Sequence, residues 1–548
     1  MNTPLIDIRP DHWAIVANIL KKHIPEYEVW AFGSRAKWTA KQYSDLDLAV
    51  VTDTSMSPSI SAALADDFSE SDLPFKVDVV DWATTSESFR RIIEGDRVVV
   101  QKKEVGSGGA AEAWQQTTLG AIADKNGYGL VDGPFGSNLP ASSYTVVGVP
   151  VVRGSNLSLG TSRFNDSEFV FVSEETAQRL SRSLCRAGDI VFTKKGTLGQ
   201  TGLVPDNGRY RKYLLSSNQM KLSVDRQIAD PLFVYYYVSS PETREKIVRD
   251  SEMTGVPKTN VTYLRDFPIQ LPPLLEQKTI AHILGTLDDK IELNRRMNET
   301  LESMARAIFK SWFVDFDPVR AKSEGRDPGL PKPIADLFPD QFEDSELVEI
   351  PAGWRAESVY AITDVIYGAP FSSAQFNSSG VGKPLIRIRD LVDESPAVWT
   401  PELHPKGYLV QPGDIVVGMD GEFRAYLWGG AEAWLNQRVC VFVPKRGISA
   451  AFVRSSITEP LAQVEATETA TTVIHLGKND IDRFRVVVPD PSITEAFNRI
   501  CQPWYDRIVC NKLEIRALVA ARDALLPKLI SGELRVGDTE KAAKGVAA

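Results

Sequence analysis

The sequence predicts a multi-domain α/β chain: a small α/β domain in front, then two α+β heads separated by two long helices that form an antiparallel coiled coil. Three observations predict it. First, strings in one strand-rich stretch return in another: Gly188-Asp189-Ile190-Val191 as Gly413-Asp414-Ile415-Val416, Gly148-Val149-Pro150 as Gly382-Lys383-Pro384, and Ser217-Asn218-Gln219 as Leu435-Asn436-Gln437. Second, each stretch ends in a long helical run, residues 274–312 and 491–531. Third, the Gly-rich segment from Glu104 to Ala113 has the composition of a flexible linker and sets residues 1–105 apart. Two similar heads held at a fixed distance suit a target that comes in two halves, and split DNA sites are the commonest such target.

The front domain, residues 1–105, opens with an amphipathic helix from Asp11 to His23. A strand from Glu28 to Phe32 leads into a Gly-Ser turn. Strands follow over 46–51 and 77–80, then a helix near 86–94 and a last strand over 97–101. Residues 106–113 are the linker. Residues 114–272, rich in Gly, Pro, Ser and short β-branched runs, form the first head. Pro272-Pro273 stops it, and residues 273–315 form the first long helix, with apolar positions at Ile280, Leu284, Leu287, Ile291, Leu301, Ala305 and Ile308. Residues 316–349 are Pro- and acid-rich with weak periodicity, which reads as linker. Ile350-Pro351-Ala352-Gly353-Trp354 opens the second head, residues 350–490. The second long helix spans 491–535, and 536–548 is a disordered tail.

The two helical runs match at one constant offset: Ile280 with Phe497, Leu287 with Trp504, Ile291 with Ile508, Leu301 with Leu518. Asn294 matches Asn511, both on the apolar seam. A seam Asn costs stability and fixes register, so two seams of one pattern are expected to pair with each other. The alternative, two amphipathic helices each packed on its own head, explains the apolar spacing but not the matched asparagines.

Composition narrows the function classes. With 548 residues the chain has room for three or four domains. No apolar run approaches the ~20 residues that span a bilayer, and the N-terminus lacks a signal-peptide pattern. The four cysteines show neither a disulfide framework nor metal-type spacing, so a reducing cytoplasm is expected. Cys501 and Cys510, on the second long helix, read as small buried hydrophobes. The net charge of −10 argues against nucleic acid. Residues 186–226, however, hold 8 Lys/Arg against 3 Asp/Glu, and phosphate attraction follows the local field.

Residues 114–535 resemble the specificity subunits of type I restriction-modification systems. Gly133-Pro134-Phe135-Gly136-Ser137, with the string from Gly148 to Asn156, looks like the opening of a target recognition domain. The string from Leu271 to Gln277 looks like the start of the first conserved helix. Lys310 to Arg320 and Leu529 to Leu534 look like the ends of the two conserved regions. The first head departs from the pattern in lacking the Pro-x-Gly-Trp opening of 351–354, keeping only Trp114. The resemblance implies two target recognition domains, each reading half of a split double-stranded DNA site, with the helix pair as a ruler. It also implies assembly with two modification (methyltransferase) subunits and with restriction (motor-nuclease) subunits, a role in phage defence, and no catalysis by this part. In agreement, the sequence contains no Asn-Pro-Pro-Tyr/Phe motif and no phosphate-loop motif. The glycines between Gly196 and Gly202 read as turn residues.

Bases are read by Arg on guanine and by Asn or Gln on adenine. The candidates are Lys194, Lys195, Arg209, Arg211, Lys212, Asn218 and Gln219 in the first head. In the second they are Arg387, Arg389, Arg424, Asn436, Gln437 and Arg438. For any one of them a solvated charge or a satisfied turn amide is an equal alternative. The Asn-Gln pairs, recurring in heads that read different sequences, also fit a structural role.

In the front domain, Gly33-Ser34 is followed by Asp45-Leu46-Asp47 and, on a later strand, by Asp78. Alternate strand residues share a face, so Asp45 and Asp47 can hold a metal pair that Asp78 completes. The Gly33-Ser34 turn can set backbone amides against nucleotide phosphates. The arrangement resembles the minimal nucleotidyltransferase domains of the DNA polymerase β superfamily, especially adenylylating antitoxins that act beside HEPN toxins. That resemblance implies catalytic roles for Asp45, Asp47 and Asp78, with Mg²⁺ on the first two, an NTP substrate (ATP first), and transfer of NMP to a hydroxyl. The toxin-type Arg-x4-6-His motif occurs nowhere in the chain, so a HEPN partner would be a separate chain. Two readings stay open: a non-enzymatic DNA-binding scaffold with a passive or regulatory front domain, and a DNA-localised nucleotidyltransferase acting on protein or nucleic acid.

Overall fold

The computed structural model describes residues 6–25, 27–41, 44–52, 55–102, 114–125, 127–251, 258–346, 349–467 and 475–535. The expected linker at 106–113 and tail at 536–548 lie outside the described residues. The chain divides into two units, Met1–Ala113 and Trp114–Ala548.

The front unit runs α1 (Pro10–His23), β1 (Glu28–Phe32), α2 (Gly33–Ala36), β2 (Leu46–Val51), α3 (Pro58–Ser69), β3 (Val77–Asp81), α4 (Glu87–Asp96) and β4 (Val98–Gln101). Its sheet has the order β3-β2-β1-β4. Only β2 and β3 are parallel, and a parallel pair needs a crossover. The crossover is α3, which the sequence reading passed over. It starts with Pro58 in its first turn, where a missing N–H costs nothing, and buries Leu64 and Phe68 one turn apart. Strand alternation splits the sheet's two faces. Val29, Ala31, Leu46, Leu48 and Val50 meet Trp13, Val16 and Leu20 of α1. Trp30, Phe32 and Ala49 meet Ile93 of α4 on the other face.

In the second unit each head contains two sheets, one of which includes a parallel pairing, Leu214 beside Val151 in the first head and Trp434 beside Leu385 in the second. A two-stranded ladder closes each head: Gln115–Thr118 with Pro268–Leu271, and Arg355–Ser358 with Arg485–Val488. The repeated Gly-Asp-Ile-Val strings occupy equivalent turns. The Asp189 carboxylate accepts from the Arg186 N–H, as that of Asp414 does from Gln411. Gly148 and Gly382, both at positive φ, sit where a Cβ would strike a neighbouring strand's carbonyl at 2.1 Å.

The long helices are Leu274–Phe313 and Pro491–Ser531, each about 60 Å long at ~1.5 Å per residue. They lie antiparallel. Glu276 pairs with Arg535, Asp288 with Arg522, Asn298 with Asn511, and at the far end Phe313 meets Phe497 edge to face. Ile280 and Leu284 join the first head's core together with Leu526 and Leu529. Trp312, Phe313 and Phe497 join the second head's core. The heads therefore occupy opposite ends of the helix pair.

Two sequence expectations are corrected. The stretch 316–349 is not a bare linker: it forms helices Asp317–Ser323 and Lys332–Ala335 and buries Phe316, Val319 and Phe338. Phe338 packs against Trp312 edge to face and against Trp354 at a tilt, so aromatic burial rather than periodicity orders this part. Cys510 is exposed, whereas Cys185, Cys440 and Cys501 are buried; all four thiols are free.

Candidate functional site

In the front domain, Phe32 lies opposite Asp47 across β1 and β2, and Asp47 lies opposite Asp78 across β2 and β3. Asp45 just precedes β2 and shares the parity of Asp47, so the register and parity assign all three carboxylates to one face. Gly33 follows Phe32 at φ +75°, and a Cβ there would stand 2.4 Å from Asp47 Oδ2. Glycine is thus required twice, for the left-handed backbone and for room beside the carboxylate. Ser34 follows in α2, and its carbonyl accepts the Thr39 N–H at 3.0 Å.

Asp47 has its carboxyl raised above the usual range, first by burial and then by the like charges of Asp78 and Asp45. Lys76 Nζ stands 2.5 Å from Asp78 Oδ1. Arg35, which the sequence reading missed, is buried: its Nε donates to the Ser44 carbonyl (2.9 Å) and Nη1 to the Asp7 carbonyl (2.8 Å), over the Phe75 ring. It fixes the backbone that delivers Asp45. Burial lowers its pKa, against the opposing pull of Asp7 and Asp45.

Among the described residues no three carboxylate, imidazole or thiolate groups already form a metal cage. Mg²⁺ does not need one, because it takes one or two carboxylates and completes its shell with water and substrate phosphates. An acidic edge in which neighbouring charges hold one carboxyl's pKa up has the chemistry such a cation relieves, so the residues fit it.

In the first head, the ends of strands Leu130–Asp132 and Ile190–Thr193 and the start of Gln219–Leu222 form one sheet edge. Lys194, Lys195 and Asn218 sit there, with Lys194 3.0 Å from Asp132. Arg209, Arg211 and Lys212 do not join them. They precede strand Tyr213–Leu215 at its opposite end, where Lys212 pairs with Glu174 and the Arg209 N–H donates to Asp166. Gln219 is buried against Ser216.

In the second head the equivalent edge carries Arg424, Asn436, Gln437 and Arg438, with Arg387 and Arg389 beside them after strand Lys383–Ile386. Arg387 is tied to buried Asp390, Arg424 pairs with Glu422, and Asn436 is buried. Arg438 Nη1 donates to both oxygens of Asp420 (2.8 and 2.7 Å), and Asp420 also contacts His475 Nδ1 at 2.7 Å. Asp420 and His475 were not singled out from the sequence. The hydrogen bonds also overturn the Asn-Gln echo. The Asn218 carbonyl accepts from Lys194 N (2.7 Å), and the matching bond runs from Met419 N to the Arg438 carbonyl (2.9 Å). Gly133 N donates to the Gln219 carbonyl and Gly368 N to that of Val439. Asn218 therefore corresponds to Arg438 and Ser216 to Asn436; the repeated Asn-Gln letters lie two residues out of register.

Residues 139–303 match the family described as type I restriction modification DNA specificity domain, and residues 16–105 match polymerase beta, nucleotidyltransferase. The type I restriction enzyme HindI specificity subunit of Haemophilus influenzae is 25% identical over 411 residues, covering 62% of this chain and 87% of that protein. The probable protein adenylyltransferase MntA of the same species is 52% identical over 99 residues, covering 18% of this chain and 87% of that protein. A type I system S subunit structure from M. genitalium aligns with a TM-score of 0.48 at 15% identity, over 77% of this chain and 97% of that one. The front domain therefore belongs to the polymerase β-type nucleotidyltransferases related to MntA, and it is joined end to end to a region that carries a type I restriction modification DNA specificity domain and is homologous to type I specificity subunits.

Proposed function

We propose that this chain reads a bipartite double-stranded DNA site, one half with each head, while the helix pair sets the gap and scaffolds two modification subunits and the restriction subunits. The observation that carries this reading is that two heads of one topology sit on opposite ends of one antiparallel helix pair. A local net charge of the right sign over 186–226 supports the first head's part in it. The test is to map the sequence methylated by the complex assembled with its modification subunits. Two short specified segments flanking an unspecified gap are expected; one continuous segment would contradict the reading.

The front domain adds a second activity in this proposal, transfer of AMP from ATP to a hydroxyl on an acceptor with release of pyrophosphate, a separate HEPN-type chain being the first candidate acceptor. Asp45 and Asp47 would hold Mg²⁺, which when bound neutralises phosphate charge. Asp78, beside Asp47, would take the hydroxyl proton, and Gly33 keeps the space that Asp47 needs. Transfer of label from α-labelled ATP into a host lysate tests this. Label that disappears in the Asp45→Ala/Asp47→Ala variant is expected, with site-specific methylation unchanged. No transfer from any of the four NTPs would leave the front domain a passive or regulatory module.

A further inference from the structure

The two heads present different chemistry at one equivalent position. Asn218 and Arg438 both sit, exposed, one residue before a central strand, and each gives its carbonyl to the backbone of the neighbouring strand's end, Lys194 and Met419. The residues around them correspond as well. Lys195 bridges Lys258 in the first head, just as Asp420 bridges His475 in the second. Thr259 N donates to the Lys194 carbonyl as Leu476 N does to that of Met419. An Asn beside two lysines in one head thus replaces an Arg beside an Asp and a His in the other.

We infer that Asn218 and Arg438 are the base-discriminating residues of the two heads, Arg438 for a guanine with Asp420 as its positioning residue, and Asn218 for an adenine. This rests on the reading of the heads as DNA-binding. The alternative is that the Arg438–Asp420 pair only braces the second head. The first head argues against it, because the same edge with the same backbone bonds is built there with no acid at either place. Asp420 uses only Nη1 of Arg438, so the Nε–Nη2 fork is left for the two acceptors that guanine offers in the major groove. An acid facing DNA repels phosphate, and the Arg438 guanidinium paired with Asp420 offsets it, while His475 Nδ1 lies against the same carboxylate. An Asn needs no carboxylate brace, and its amide matches the acceptor-donor pair on adenine; the lysines at the braced positions instead favour phosphate.

The experiment uses the full chain assembled with its modification subunits, methylating a plasmid library randomised around the wild-type motif. Arg438→Ala is expected to cut the preference for guanine by about 5- to 150-fold at one position of one half-site. Arg438→Lys, which keeps the charge but not the fork, should lose that preference equally. Asp420→Asn should weaken it at the same position and add nothing once Arg438 is gone. Asn218→Ala should relax an adenine in the other half-site only. A two-part motif that Arg438→Ala and Asn218→Ala leave intact, or weaken evenly at every position, overturns the assignment alone. A wild-type complex with no two-part motif overturns the reading of the heads and this assignment with it.

Discussion

Asp47 has its carboxyl held up by burial and by Asp78 and Asp45, so the folded domain keeps that proton more tightly than the unfolded chain does. Stability from this group is greatest in acid and is lost as pH rises through the raised value. Asp47→Asn is therefore expected to melt higher than wild type at neutral pH, with the difference closing as the pH is lowered, while NMP transfer is lost. Thermal melts at both pH values check this; a variant less stable at neutral pH would contradict the electrostatic argument. Gly33→Ala is expected to cost about 1–2 kcal/mol from its left-handed backbone alone and to push Asp47 aside. Melting and label transfer should fall together. The register that sets Asp47 beside Asp78 was legible in the sequence as strand parity, whereas Gly33-Ser34, expected as a turn, opens helix α2. The Arg438–Asp420–His475 cluster was not legible, because its members lie 18 and 55 positions apart and the Asn-Gln letters suggested a different register.

On the helix pair, Asn294 and Asn511 are fully buried, as the matched seams implied. Asn511 Nδ2 donates to Asn298 Oδ1 at 2.8 Å and Asn294 Nδ2 to Glu514 Oε2 at 2.9 Å. Their own side-chain oxygens have no partner. Replacing both with Leu is expected to raise the melting temperature and to loosen the register, read as a broadened spread of inter-helix distances between spin labels. A single unchanged distance would remove the register role. Arg522 is a different case. It pairs with Asp288 at 2.9 Å, and Tyr236 donates to the same carboxylate at 2.7 Å. Arg522→Ala leaves that carboxylate with the Tyr236 hydroxyl but without its cation, and is expected to cost about 3 kcal/mol, measured by denaturant unfolding. Helix lengths and pairing were readable from periodicity. The burial of Phe316 and Phe338 within the expected linker was not, because Phe338 finds Trp312 and Trp354 only in the folded chain.

For the molecule as a whole, the repeat in the sequence becomes an approximate two-fold arrangement of heads along the helix pair. Because the helices are antiparallel, a change of length in one alone leaves its partner unmatched. A heptad inserted into a single helix is thus expected to destroy assembly rather than shift the gap. The most direct measurement is the methylated motif of a chain with seven residues added to both helices, between Leu284 and Leu301 and at the facing stretch between Ile508 and Arg522. The added length is about 10 Å, or about three base pairs. Unchanged half-sites separated by a gap about three base pairs longer are expected. New half-site bases at an unchanged gap would contradict the view of this chain as two readers on one ruler.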